Sequence, residues 1–187
     1  MVYSFLKEIQ SDCIYYIPDR YDEGYGISIK GIDHAKAENV SLIIALDCGI
    51  KAVDKVSYAQ TLGIDFIICD HHLPGKTLPE AYAILNPNQA NCSYPFKDLC
   101  GCGIGFKLIN ALTLERGGAV DQIIPYMDLV AMAIAADMVP MVGENRVLTY
   151  FGIQQIRENP RLGIRFFIKE LKRKINVSDL VFVIAPR

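Results

Sequence analysis

No apolar run in this 187-residue sequence approaches the roughly 20 residues that a membrane-spanning helix needs. The best of them, Leu129 to Ala136, stops at Asp137, so no membrane partner is expected. The opening residues lack a basic stretch followed by an apolar one, which argues against a secretory signal. There is no C-x-x-C pair. The six cysteines, at 13, 48, 69, 92, 100 and 102, sit mostly inside apolar runs. That usage fits reduced, buried thiols in a cytoplasmic protein better than a disulfide framework. Internal repeats and flexible linkers are missing too. With 51% hydrophobic and 21% charged residues the chain is not disordered, and its length suits one domain with a proper core.

The formal charge of −2 conceals an uneven distribution. Residues 1–140 carry 10 Lys/Arg against 17 Asp/Glu, whereas residues 141–187 carry 9 against 4. An acidic first part and a basic second part suggest a cation site followed by a surface for a polyanion.

Strand and helix alternate through the first part. Leu42 to Leu46 is a continuous apolar run, as expected of a strand covered on both faces. Ala52, Val53, Val56, Ala59 and Leu62 form one helical stripe that Gly63 ends, and Phe66 to Cys69 is a second buried strand. This βαβ unit predicts parallel strands and a right-handed crossover. Upstream the pattern gives a helix over 2–9, a strand over Cys13–Ile17 and a helix from Ser28, its cap, to Glu38. Downstream it gives a strand over Tyr82–Leu85, helices near 103–115, 121–135, 144–157 and 161–174, and a last strand over Leu180–Ile184. The expected fold is α/β, a doubly wound and mainly parallel sheet with helices on both faces. Residues 1–140 form its α/β part and 141–187 a mainly helical basic part.

Asp47 follows the first buried strand; Asp70, His71 and His72 follow the second. Ligands of parallel sheets bind at the carboxyl ends of the strands. Neighbouring strands lie about 4.8 Å apart, so two carboxylates would face each other there and either raise one pKa or recruit a cation, which the adjacent imidazoles favour. Oxygen ligands with one or two imidazoles suit Mn²⁺ or Mg²⁺ better than Zn²⁺. The Gly101–Leu108 stretch fails the spacing of a phosphate loop, and its glycines suit a tight turn and close helix packing. Cys92, Cys100 and Cys102 lack a fourth zinc ligand at suitable spacing. His34 is expected on an exposed helix face. Arg161, Arg165, Lys169, Lys172 and Arg173 share one flank of the 161–174 helix, either as a solvated face or as a wall for nucleic-acid phosphates. Tyr15, Tyr16, Tyr21 and Tyr25 suit packing or base stacking.

Leu46-Asp47-Cys48-Gly49 and Cys69-Asp70-His71-His72-Leu73-Pro74 resemble the motifs of the DHH phosphoesterase superfamily, and within it the RecJ-like exonucleases. The supporting stretches are 20–26, Leu85-Asn86-Pro87, Gly103–Leu108, Ala136–Pro140, Gly143–Arg146 and Ala185-Pro186-Arg187. The resemblance implies Asp47, His71 and Asp137 as metal ligands. It implies His72 against the substrate phosphate and Asp70 as the carboxylate that orients the site. It further implies two Mn²⁺ or Mg²⁺ ions and 5′ to 3′ hydrolysis of single-stranded DNA. Other superfamily members act on short oligonucleotides, cyclic dinucleotides or pyrophosphate, and a non-catalytic binding module could keep the same fold. The family's aspartate-rich first motif would precede Val2–Ile9, and a glycine-rich domain would follow Arg187. A chain without them is expected to be inactive alone.

Overall fold

The computed structural model describes residues 1–10, 12–171 and 173–185. Two compact units divide them: Tyr3–Lys97, and Asp98–Arg187 with Met1–Val2. Among the described residues no helix is long and apolar enough to cross a membrane.

The first unit is α/β. Helix α1 spans Val2–Ile9 and α2 spans Ile29–Ala37. The Ser28 hydroxyl caps α2 by accepting the Gly31 N–H at 2.9 Å. Strand β1 (Leu42–Leu46), helix α3 (Val53–Thr61), and strands β2 (Asp65–Cys69) and β3 (Ala83–Leu85) follow. Gly63, at φ 73°, ends the α3 turn in a conformation that side chains with a Cβ rarely adopt. The strands form a three-stranded parallel sheet in the order β1-β2-β3, with Leu42 opposite Asp65, Leu46 opposite Cys69 and Ile68 opposite Ile84. In that register Ile43, Ala45, Phe66, Ile68 and Ile84 share a face. They join Ile32 and Ala35 of α2 and Val56 and Ala59 of α3 in one core.

Cys13–Ile17 is not a strand. It is irregular chain without a ladder partner among the described residues, and Ile14, Tyr15, Tyr16 and Ile17 are exposed. A strand is defined by the neighbour that takes its N–H and C=O groups, and hydrophobic alternation does not supply one.

The second unit is helical: α4 (Gly101–Glu115), α5 (Met127–Ala136), α6 (Gly143–Glu158), α7 (Leu162–Leu171) and a short α8 (Val177–Asp179). Strands give way to helices at Lys97–Asp98, ahead of the charge boundary near 140. The stretch expected to be one helix over 121–135 is instead two 3-10 turns (Val120–Gln122 and Ile124–Tyr126) followed by α5. Pro125 explains the break, because it removes a backbone donor and its ring clashes in a helix interior. Gly101–Leu108 lies wholly within α4, whose N-cap is the Cys100 thiol, accepting the Gly103 N–H at 3.3 Å. At Gly152 a Cβ would lie 2.3 Å from the Met127 carbonyl oxygen, so only glycine lets α6 approach α5 this closely.

Leu180–Ile184 is a wide helical turn, not a strand. The Asn176 side chain accepts the Asp179 N–H, and Asp179 accepts the Asn176 N–H in return, a capping box that starts a helix. Leu180 and Ile184, four apart, then enter a core with Ala131, Ala135, Ile153, Ile156, Ile164 and Ile175. Burial pushes the Asp179 carboxyl up, but hydrogen bonds from Arg173 (2.8 and 2.5 Å) and the Asn176 N–H outweigh it and hold the carboxyl below its ordinary value. A depressed folded-state pKa gives stability that is present above the unfolded value, about 3.9, and is lost as pH falls through the folded value. Asp179→Asn is therefore expected to lower the thermal midpoint at pH 7, with the gap to wild type closing below about pH 4. A gap unchanged down to pH 3 would show that the ionised carboxylate contributes nothing.

Candidate metal centre

The carboxyl ends of β1 and β2 carry the chemistry. Asp47 leaves β1 in a left-handed conformation (φ 61°), unusual for a residue with a Cβ, and its side chain is half exposed. Asp47 Oδ1 lies 3.2 Å from His71 Nε2. One ligand atom from each of Asp47, His71 and His72 falls within 4.8 Å of the other two, and the two imidazole centroids are 4.6 Å apart.

Asp70 does not share the cation position with Asp47, contrary to the expectation of two facing carboxylates. Its carboxylate turns inward and is 1% exposed. Oδ2 accepts the Ile50 N–H at 2.9 Å; Oδ1 accepts the His71 and His72 N–H groups at 2.8 and 3.1 Å and meets His72 Nδ1 at 2.6 Å. Burial raises its pKa, yet the Ile50 N–H and His72 outweigh that, and the carboxyl is held below its usual range. An ionised Asp70 can only accept, so His72 Nδ1 donates and Nε2 is the nitrogen left for a ligand. Asp70 thereby holds the backbone of both histidines and the ring of His72.

Three residues that sequence reasoning did not single out as part of the centre complete the frame. Asn86 Nδ2 donates to the His72 carbonyl at 2.9 Å and Asn88 Nδ2 to the His71 carbonyl at 2.7 Å, so the loop after β3 clamps the double histidine. The stretch Leu85-Asn86-Pro87 was the visible signal for the first. The Tyr25 hydroxyl donates to the Asp47 carbonyl at 3.1 Å, and its ring stands edge-on to His72. Burial and the charges of Asp47 and Asp70 raise the Tyr25 pKa, which keeps the phenol a donor.

The donor set fits a hard divalent cation: a carboxylate oxygen, imidazole nitrogens and no thiolate. Cys48, the nearest thiol in sequence, is pushed up to about 11 by burial and by Asp70 and Asp47, and so stays protonated. Among the described residues all cysteines are free thiols.

Asp137 belongs to the second unit, where it is exposed and its N–H closes α5 on the Ala133 carbonyl. The basic flank is only partly available. Arg165 and Lys169 are exposed, but Arg161 Nε bonds the fully buried Asp128 at 2.6 Å and Nη2 the Pro125 carbonyl at 2.9 Å. Arg173 holds Asp179, and Lys172 lies outside the described residues, as do Pro186 and Arg187. His34 is exposed on α2 as expected, beside the Tyr16 ring.

Known proteins resemble this chain over most of its length. The chain is similar to the single-stranded-DNA-specific exonuclease RecJ of Escherichia coli K12, 40% identical over 190 residues, covering 95% of this chain and 33% of that protein. RecJ of Bacillus subtilis 168 is 40% identical over 185 residues, 97% of this chain and 23% of that protein. The chain thus spans a third or less of these relatives. A crystal structure of exonuclease RecJ bound to manganese superposes with a TM-score of 0.88 at 28% identity, covering 99% of this chain and 46% of that one. RecJ from Thermus thermophilus in complex with Mn²⁺ gives 0.82 at 25% identity, over 99% of this chain and 26% of that one. The model of the DHH family, N-terminal domain, matches residues 1–134, which include every residue of the Asp47–His71–His72 cluster. An inward aspartate steadying two histidines beside a strand-end carboxylate is thus set in a matching framework, and the chain belongs to the DHH family.

Proposed function

We propose that the protein hydrolyses phosphodiester bonds of single-stranded DNA from the 5′ end with Mn²⁺ or Mg²⁺, in the cytoplasm, as a RecJ-like repair and recombination exonuclease. The observation that carries this is the Asp47–His71–His72 cluster, held by a buried, ionised Asp70. Asp47 and His71 offer the metal an oxygen and a nitrogen donor, and the family resemblance adds Asp137. A bound divalent ion of this kind acts as a Lewis acid toward phosphoryl oxygens and makes water a stronger nucleophile. His72, with Nδ1–H fixed on Asp70, directs Nε2 outward. The family resemblance puts that nitrogen against the substrate phosphate. Tyr25 and the Asn86–Asn88 clamp hold the backbone of Asp47 and of both histidines. Six free thiols support the reduced compartment. The exposed Arg165 and Lys169 offer phosphate contacts; Arg161 is engaged by Asp128 and keeps little for a ligand.

Calorimetric titration with Mn²⁺ tests the assignment. Asp47→Ala is expected to weaken binding at least about tenfold. Equal affinity in wild type and variant would remove Asp47 from the metal centre.

A further inference from the structure

A cleft of about 460 Å³ lies in the second unit, along one face of α6 and against the residues that open α8. Arg146, Thr149, Tyr150, Ile153 and Arg157 recur along α6 at the spacing of a single helix face, and Asn176 and Val177 stand opposite. Two guanidinium groups line the cleft, and no carboxylate does. Among the described residues nothing engages the Arg146 guanidinium. Arg157 is fixed in place, because Nε and Nη2 both donate to the Ile175 carbonyl at 3.0 and 2.6 Å, which leaves Nη1 unengaged. Thr149 Oγ1 is buried in the lining without a hydrogen-bond partner. A buried hydroxyl usually finds one, so its lone state points to a polar group that enters from the cleft. Tyr150 is 60% exposed and packs edge-on against Phe151 at 5.3 Å between centroids.

A guanidinium without a counter-ion, such as that of Arg146, suits a phosphate, which it can grip in fork geometry. An exposed tyrosine beside it suits the face of a base. We propose that this cleft binds one nucleotide unit of a single strand, its phosphate on the Arg146 guanidinium and its base against Tyr150, one turn further along α6. The assignment rests on the single-strand reading above, but it uses none of the metal-centre residues.

Fluorescence anisotropy with labelled (dT)12 in EDTA isolates the cleft from the metal centre, with dTMP and inorganic phosphate as competitors. Arg146→Gln is expected to flatten the slope of log K against log salt by about 0.7. Tyr150→Ala should weaken binding about five- to tenfold, while Tyr150→Phe, which keeps the ring, stays close to wild type. Both positions are exposed, so neither variant disturbs the core. Arg165→Gln/Lys169→Gln serves as the comparison on a different helix. Wild-type-like binding by Arg146→Gln and Tyr150→Ala would overturn the cleft and leave the single-strand reading standing. No binding of (dT)12 by the wild type would overturn both. Competition by dTMP well below the phosphate concentration needed supports a cleft that reads base and phosphate together. Equal competition by the two reduces it to a bare anion site and overturns the base contact.

Discussion

Asp70→Ala is expected to lower stability by about 4 kcal/mol, a large part of the 5–15 kcal/mol typical of a domain. Four donors converge on this buried carboxylate, three of them backbone N–H groups. Leaving a buried donor unpaired costs about 1–3 kcal/mol, and water entering the vacated space recovers part of the sum. Asp70→Asn keeps the volume but offers one acceptor oxygen where the site uses two, so about half the loss is expected to remain. The loss should reach the metal as well. With Nδ1 released, His72 can turn and change tautomer, and Mn²⁺ affinity should fall about 10- to 100-fold. Urea unfolding and calorimetry on the same variants separate the two effects. A destabilised Asp70→Asn that binds Mn²⁺ like wild type would make Asp70 a purely structural residue.

Arg161→Ala is expected to cost about 3 kcal/mol, far more than Arg165→Ala, which should stay within about 0.5 kcal/mol of wild type. The difference lies in what each guanidinium touches. Arg161 neutralises Asp128, whose side chain is fully buried in the first turn of α5, donates to the Pro125 carbonyl and lies over the Tyr126 ring at 5.4 Å. Its removal strands a charge in the interior. The double variant Arg161→Met/Asp128→Leu should be more stable than Arg161→Ala, because it removes the stranded charge with its partner. Midpoints from urea unfolding decide it. An Arg161→Ala midpoint equal to wild type would mean that Asp128 is solvated, and would return Arg161 to the free basic flank.

These residues show where the sequence was not sufficient; elsewhere it was. The parallel βαβ unit was legible because two Ile-rich runs, a 3.6-residue stripe and Gly63 each obey a local rule, and local rules agree here with the tertiary fold. The Asp47–His71–His72 cluster was legible for a related reason. Strand-end residues of a parallel sheet are brought to one edge by the topology itself, so Asp47 and the Asp70-His71-His72 run had to meet once the strands paired. Other features depended on partners distant in sequence. Cys13–Ile17 has the composition of a strand but no ladder, and Leu180–Ile184 has it too, yet a capping box at Asn176 winds it into a helical turn. Arg161 sits in helical register with Arg165 and Lys169, and nothing in that spacing discloses Asp128, 33 residues away. The direction of the Asp70 carboxylate was equally hidden, since the Ile50 N–H that draws it inward comes from the turn before α3. Sequence determined which elements form and which residues stand at the sheet edge, because periodicity and termination act within a few residues. Only the tertiary structure decided which charges are spent on the core and which face a ligand, because burial and pairing are set by neighbours far along the chain.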